Sequence, residues 1–167
     1  GLIGLGPEWE NSYRPALAKL RPRLRVRSVH TAVISQADQV AGELDCDVSP
    51  GLVSLMERED IRALLVLDAA WYAGVPAEFA CAAGKPAFLA GPVAHRLPVA
   101  DQLLRQAATT GVTLMPDFGH RYTPATSRLR ELIATRLGRP LMIAVDVVLP
   151  QDSSGSPAES SCTLSAS

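Results

Sequence analysis

Short apolar runs, each long enough for one β-strand, alternate with segments of helical spacing through most of this chain. The runs are Leu2–Leu5, Leu24–Val29, Ala63–Leu67, Ala87–Leu89 and Thr113–Met115. Between them, SYRPALAKL brings Tyr13, Leu17 and Leu20 to helical spacing, VPAEFACAAG closes on Gly84, and LPVADQLLRQAATTG reads as a further helix. Parallel strands need a long crossover between them, most often a helix. The alternation therefore predicts an α/β fold: a Rossmann-like, doubly wound parallel sheet with helices on both faces. The run RALLVLD is near-continuous in apolar residues, as a strand buried on both faces should be.

Cap residues mark further helices. Ser35 with Asp38 three residues on forms an approximate capping box at the start of SQADQVAGEL. Ser49 followed by Pro50 predicts a helix beginning in SPGLVSLMER. TPATSRLRELIATRLG is the clearest: Thr123 caps it, Pro124 takes its first position, Gly138 ends it, and Leu129, Leu132, Ile133 and Leu137 form one apolar stripe. Residues 1–140 are expected to form the Rossmann-like domain. LMIAVDVVL, Leu141–Leu149, then reads as an orphan strand, and the Ser-rich residues 150–167 as a disordered tail that cannot offset its own ordering entropy. An exposed edge at Leu141–Leu149 would offer pairing between copies of the chain.

Composition narrows the partners. A formal net charge of −1 over 167 residues gives no electrostatic reason to expect nucleic acid or an acidic membrane. No apolar run is long enough to span a bilayer, the most apolar stretch being broken by Asp68. The three cysteines are far apart, and no C-x-x-C occurs, which argues against a disulfide framework or a zinc site and for a reducing cytoplasm. No nucleophile–histidine–acid order and no metal-ligand cluster stands out, so no catalytic or metal residue is assigned.

The sharpest motif is the opening GLIGLGPEWEN. An apolar run, Gly4-Leu5-Gly6 and then a helix is how a nucleotide-binding βαβ unit starts. Glycines there allow a tight turn and let backbone N–H groups approach a pyrophosphate. The third glycine of that fingerprint is missing, Trp9 stands near its place, and the loop is one residue longer than usual. Two readings stay open: a phosphate-cradling turn, or a strand-to-helix turn that needs glycine for its own geometry. Trp9 is likewise a lid over the ligand or a packing residue.

GLIGLG, the segment from REDIRALLVLDAAWY to AGKPAFLAGPVA, and GVTLMPDFGHRYTPATSRLRELIATRLGRPL occur in order and at fitting distances. Over roughly Gly1–Val148 the chain resembles the N-terminal half of the Gfo/Idh/MocA oxidoreductases, the relatives of glucose–fructose oxidoreductase and inositol dehydrogenase. The resemblance implies a Rossmann domain binding NAD or NADP, followed by a substrate domain whose first strand would be LMIAVDVVL. That second domain is expected to be absent from this chain. The ribose-binding acid implied at the end of the second strand falls at Thr31, beside His30, and no carboxylate is there. This disfavours NAD, and no arginine follows to hold the extra phosphate of NADP. The family's Thr-Pro-Asn becomes Asp68-Ala69-Ala70, its next histidine becomes Ala73, and its Glu-Lys-Pro becomes Ala90-Gly91-Pro92, so glycine replaces the proton-handling lysine. A cis bond before Pro92 is also implied.

The cofactor-binding candidates are Gly4, Leu5, Gly6, Trp9, Thr31, Asp68 and Ala69. Asp68 ends a central strand, where ligands bind in open α/β sheets, and would contact a ribose or act as a capping carboxylate. His120 and Arg121, just before a helix, would meet a phosphate or form an ordinary loop pair; His95 reads as a loop residue. The function expected is an NAD(P)-binding domain, catalytically impaired in this chain. The alternative is a binding or interaction domain that kept the fold and lost the cofactor.

Overall fold

The computed structural model describes residues 1–68, 74–90 and 97–142. Residues 1–117 form one compact unit and the residues from Phe118 onward another. In the first unit the chain runs β1 (Leu2–Ile3), α1 (Arg14–Leu20), β2 (Ser28–His30), α2 (Ile34–Leu44), β3 (Asp47–Val48), α3 (Leu52–Glu57), β4 (Leu64–Val66), α4 (Val75–Ala82), β5 (Ala87–Leu89), α5 (Leu97–Thr110) and β6 (Leu114–Pro116). The strands form one six-stranded sheet in the order β3-β2-β1-β4-β5-β6. Every pairing is parallel, with Leu2 opposite both Val29 and Leu65. This is the strand order of a doubly wound dinucleotide-binding fold, in which the direction of winding reverses between β1 and β4.

Each expected run is found as a parallel strand. The strand read at Leu24–Val29 is set later, at Ser28–His30, because the segment before it follows a turn closed by Leu24 N–H to Leu20 O at 2.8 Å. Asp47–Val48 is an edge strand that the pattern did not announce, since both residues are exposed and no apolar alternation marks them. It displaces the helix expected to open at Ser49-Pro50. Ser49 donates its N–H to Val29 O at 2.8 Å, which keeps it extended, so α3 starts at Leu52 behind Gly51. Ser35 does not cap α2 either; Val33 precedes the first turn without a side-chain cap.

The alternation of side chains along the strands fills two cores. On one face Ile3, Leu64, Val66, Ala87 and Leu89 meet Leu55 of α3, Ala77 and Ala80 of α4 and Leu103 of α5. On the other, Leu2, Val29 and Leu67 meet Trp9, Leu17 of α1, and Ala37, Val40 and Ala41 of α2. A side-chain pattern that changes face at every residue is what two layers of helices require.

In the second unit, Gly119–Tyr122 forms a 3₁₀ turn and α6 covers Pro124–Leu132. Thr123 caps α6 as expected, its Oγ1 accepting from Thr126 N–H at 3.3 Å, and a wider helical turn over Ile133–Leu137 ends at Gly138 with φ +72°. The apolar stripe is not a buried one: Leu129 is 51% and Leu137 66% exposed. Leu141 and Met142 are exposed, and the rest of the expected orphan strand, with the tail, lies outside the described residues, as does the peptide before Pro92.

Ser28 is fully buried and its Oγ has no hydrogen-bond partner. A buried hydroxyl without a partner costs its desolvation. Ser28→Ala is expected to raise stability by about 1 kcal/mol. Leu55→Ala, at a fully buried position, should lower it by about 2–5 kcal/mol. Urea unfolding followed by far-ultraviolet circular dichroism measures both; a destabilised Ser28→Ala would show that the hydroxyl has a partner.

Candidate functional site

The first βα connection is built around two left-handed glycines. Gly4 has φ +65° and Gly6 φ +63°, conformations that side chains rarely adopt. Space imposes the same choice. A Cβ on Gly4 would stand 2.5 Å from the Cβ of Asp68, and one on Gly6 would run into the Leu67 carbonyl oxygen. Hydrogen bonds hold the two strand ends in this approach: Gly4 N–H to His30 O and Leu67 N–H to Ile3 O, each 2.8 Å. Both glycines are thus required by the protein's own backbone, before any ligand is considered.

The extra residue in the loop has a structural outlet. Between the glycine turn and α1 the chain makes a π-type turn over Trp9–Tyr13, in which Tyr13 N–H reaches Glu8 O at 3.2 Å and Arg14 N–H bonds Trp9 O. Bonds to the fifth residue back absorb one residue more than an α-helical turn. Trp9, Tyr13 and Leu17 then recur at four-residue spacing toward the sheet. The Trp9 indole is only 4% exposed and packs with Leu2, Val29, Val40 and Leu67, so the structure favours the packing reading over the lid. Tyr13 donates its phenolic hydrogen to Asp117 Oδ2 at 2.8 Å and sets its ring edge against Phe88, with centroids 6.4 Å apart. Burial, and then the hydrogen bond to the Asp117 carboxylate, push the Tyr13 phenol well above the usual tyrosine range.

Gly4, Leu5, Gly6, Trp9, Thr31 and Asp68 all line one cleft at the carboxyl ends of β1, β2 and β4, with a volume of about 690 Å³. Six of the seven candidates are therefore brought together; Ala69 lies outside the described residues, as do Ala73, Gly91 and His95. His120 and Arg121 belong to the 3₁₀ turn of the second unit. Thr31 is buried and engaged in its own turn: its Oγ1 accepts from Val33 N–H at 3.0 Å and donates to Val33 O at 2.8 Å. His30 Nδ1 lies 3.1 Å from Ser49 O, tying the end of β2 to the loop after β3.

Sequence reading missed Pro7, Glu10, Gln36 and Gln39, which also line the cleft. Gln36 and Gln39 are three apart on α2, and that spacing, in the helix directly after the second strand, was an available signal. Pro7, immediately after Gly6, has no N–H to offer a phosphate. Glu10 accepts from Arg14 Nη1 at 2.7 Å, and Arg14 also reaches Glu43 at 3.0 Å. The cleft has the size, the location and the glycine turn that an adenosine nucleotide needs. At the glycine turn one backbone N–H is lost to Pro7, and the Glu10 and Asp68 carboxylates line the cleft. Among the described residues no group of acids, histidines and cysteines could hold a metal ion, and no helix is long and apolar enough to cross a membrane.

No protein-family model and no curated protein sequence matches the chain. Solved structures do. GenD2 from gentamicin A biosynthesis, in complex with NAD, superposes with a TM-score of 0.71 and 23% identity over 81% of this chain and 38% of its own. KijD10, a 3-ketoreductase from Actinomadura kijaniata in complex with NADP and TDP-benzene, gives 0.68 and 24%, covering 80% and 41%. Apo scyllo-inositol dehydrogenase from Lactobacillus casei gives 0.68 and 16%, covering 80% and 40%. The chain thus spans about two fifths of the length of these neighbours. At such identities the likeness establishes the fold alone, the Rossmann-like α/β fold that the strand and helix alternation predicts.

The glycine geometry yields a paired expectation. Gly6→Ala should destabilise by more than about 1 kcal/mol, because both its φ and the Leu67 carbonyl oppose a methyl group. Gly42→Ala, in the interior of α2 with open space around its Cβ, should stabilise by about 0.4–1 kcal/mol. Thermal unfolding of the two variants beside the parent checks the contrast; equal and small effects would mean that the turn tolerates a side chain.

Proposed function

We propose that this chain is a nicotinamide-dinucleotide-binding domain that holds the adenosine half of NAD or NADP weakly and transfers no hydride by itself. The observation that carries the reading is the cleft of about 690 Å³ entered by the Gly4-Leu5-Gly6 turn, at the reversal point of the β3-β2-β1-β4-β5-β6 sheet. Neighbours of the same fold have been solved with NAD and with NADP, which supports the same ligand class.

Selectivity follows from Thr31. A carboxylate at that place accepts hydrogen bonds from a ribose 2′-hydroxyl and repels a 2′-phosphate; a threonine hydroxyl already bonded to Val33 does neither strongly. Reactivity follows from Gly91 and Ala73, which stand in the sequence where the resemblance implies a lysine and a histidine. Hydride transfer at an alcohol carbon needs a group to manage the hydroxyl proton, worth roughly 10²–10⁴-fold. A second reading, a binding domain without the dinucleotide, is favoured by Pro7 and by the carboxylates at the turn.

Titration with NADH and NADPH, followed by nicotinamide fluorescence, separates the two readings. Weak binding of both, within about tenfold of each other, is expected, and Thr31→Asp should move the preference toward NADH by roughly tenfold, or 1.4 kcal/mol. No binding of either would favour the second reading. Single-turnover absorbance with excess protein and a panel of polyols should show no reduced nicotinamide formed, with or without Gly91→Lys. A turnover by the unmodified chain would overturn the catalytic part.

A further inference from the structure

Among the described residues lining the glycine-turn cleft, every charged side chain is a carboxylate: Glu10 and Asp68. A third acid, Glu8, precedes the π-type turn and accepts from Ser12 Oγ at 2.9 Å, which orients it within the same first turn. Acids at the start of a helix interact favourably with its exposed N–H groups. They hold the field that a bound phosphate would otherwise use. Arg14 is shared between Glu10 and Glu43, so these three groups together keep a net negative charge. Pro7 removes a backbone donor at the residue following Gly6. A pyrophosphate placed at this turn would meet like charge on its flanks and one N–H fewer at its centre.

The rest of the cleft is suited to a nucleoside. Leu5, Val33 and Val40 give apolar surface for a flat base, and the Gln36 and Gln39 amides offer donors and acceptors without charge. We propose that the cleft selects an adenosyl-type ligand whose 5′ side is uncharged or cationic over one that carries phosphate there. This deepens the reading of the cleft as an adenosine site and rests on it. The Glu10 carboxylate is the group that a cationic 5′ substituent would approach, and Glu8 adds to the field.

Isothermal titration at low ionic strength, with adenosine, 5′-amino-5′-deoxyadenosine, AMP and NAD, tests the order. The amino compound should bind most tightly and adenosine next, with AMP and NAD weaker than adenosine by at least about fivefold. Raising the salt to about 0.5 M should narrow that gap, since screening weakens repulsion between exposed charges. Glu8→Gln with Glu10→Gln, both exposed and near-isosteric changes, should narrow it at low salt. AMP or NAD binding with a smaller penalty, or more tightly than adenosine, overturns the inference and leaves the dinucleotide reading standing. An AMP-to-adenosine ratio unchanged in the double variant overturns the role given to these carboxylates. Failure of all four compounds to bind overturns the adenosine site itself.

Discussion

The contact on which the rest of this molecule depends is the approach of the Gly4–Gly6 turn to the end of β4. β1 is two residues long and sits at the middle of the sheet, hydrogen-bonded to β2 on one side and β4 on the other. At its carboxyl end the chain must leave the sheet at once, because Leu67 and Asp68 already occupy the space beside it. Left-handed glycines make that exit with no Cβ to collide. The same exit opens the crevice between the two halves of the sheet. A structural necessity and a cleft are therefore made by the same atoms, and the presence of the glycines does not by itself say that a phosphate is bound.

Departure from the usual fingerprint is handled by the helix that follows. Trp9 stands where a third glycine would allow close helix–strand packing. The π-type turn takes up the additional residue and lets the indole enter the core beside Leu2 and Val40. Tyr13 then reaches Asp117 beyond β6 and Phe88 on β5, so a helix that starts at one strand is also fastened to the opposite half of the sheet. The cost falls on the ligand side. The lengthened loop carries Pro7 and Glu10 into the region that recognises phosphate in dinucleotide-binding folds.

Much of the fold was legible because the relevant signals are local. A near-continuous apolar run such as Ala63–Leu67 has few alternatives to a buried parallel strand, and Thr123-Pro124 and Gly138 mark helix ends through their own backbone preferences. What escaped was set by contacts distant in sequence. Asp47–Val48 pairs with β2 through backbone hydrogen bonds, with both side chains exposed, so nothing in its residue types announces it. Ser49 does not cap because its N–H pairs with Val29 O, twenty residues away, and its Oγ donates to Gly51 O, contacts that a local rule does not see. In the cleft, Gly4, Leu5, Gly6, Trp9, Thr31 and Asp68 were readable from the glycine turn and the strand ends, whereas the spacing of Gln36 and Gln39 puts them on one face of α2 and only the packing of that helix turns the face to the cleft.

Sequence alone determined the α/β class, the parallel direction of the strands and the location of a cleft at their carboxyl ends, since each follows from periodicity and from glycine placed after an apolar run. Tertiary structure decided the meaning of the ambiguous residues. Trp9 is a core residue because the π-type turn aims it inward, and Thr31 is held by Val33 because the chain turns there into α2. The glycines are explained by the neighbouring strand, and Glu10 shares a cleft with Asp68 only because β1 and β4 lie side by side. Close approach of segments more than sixty residues apart is a property of the packed sheet, and no local pattern contains it.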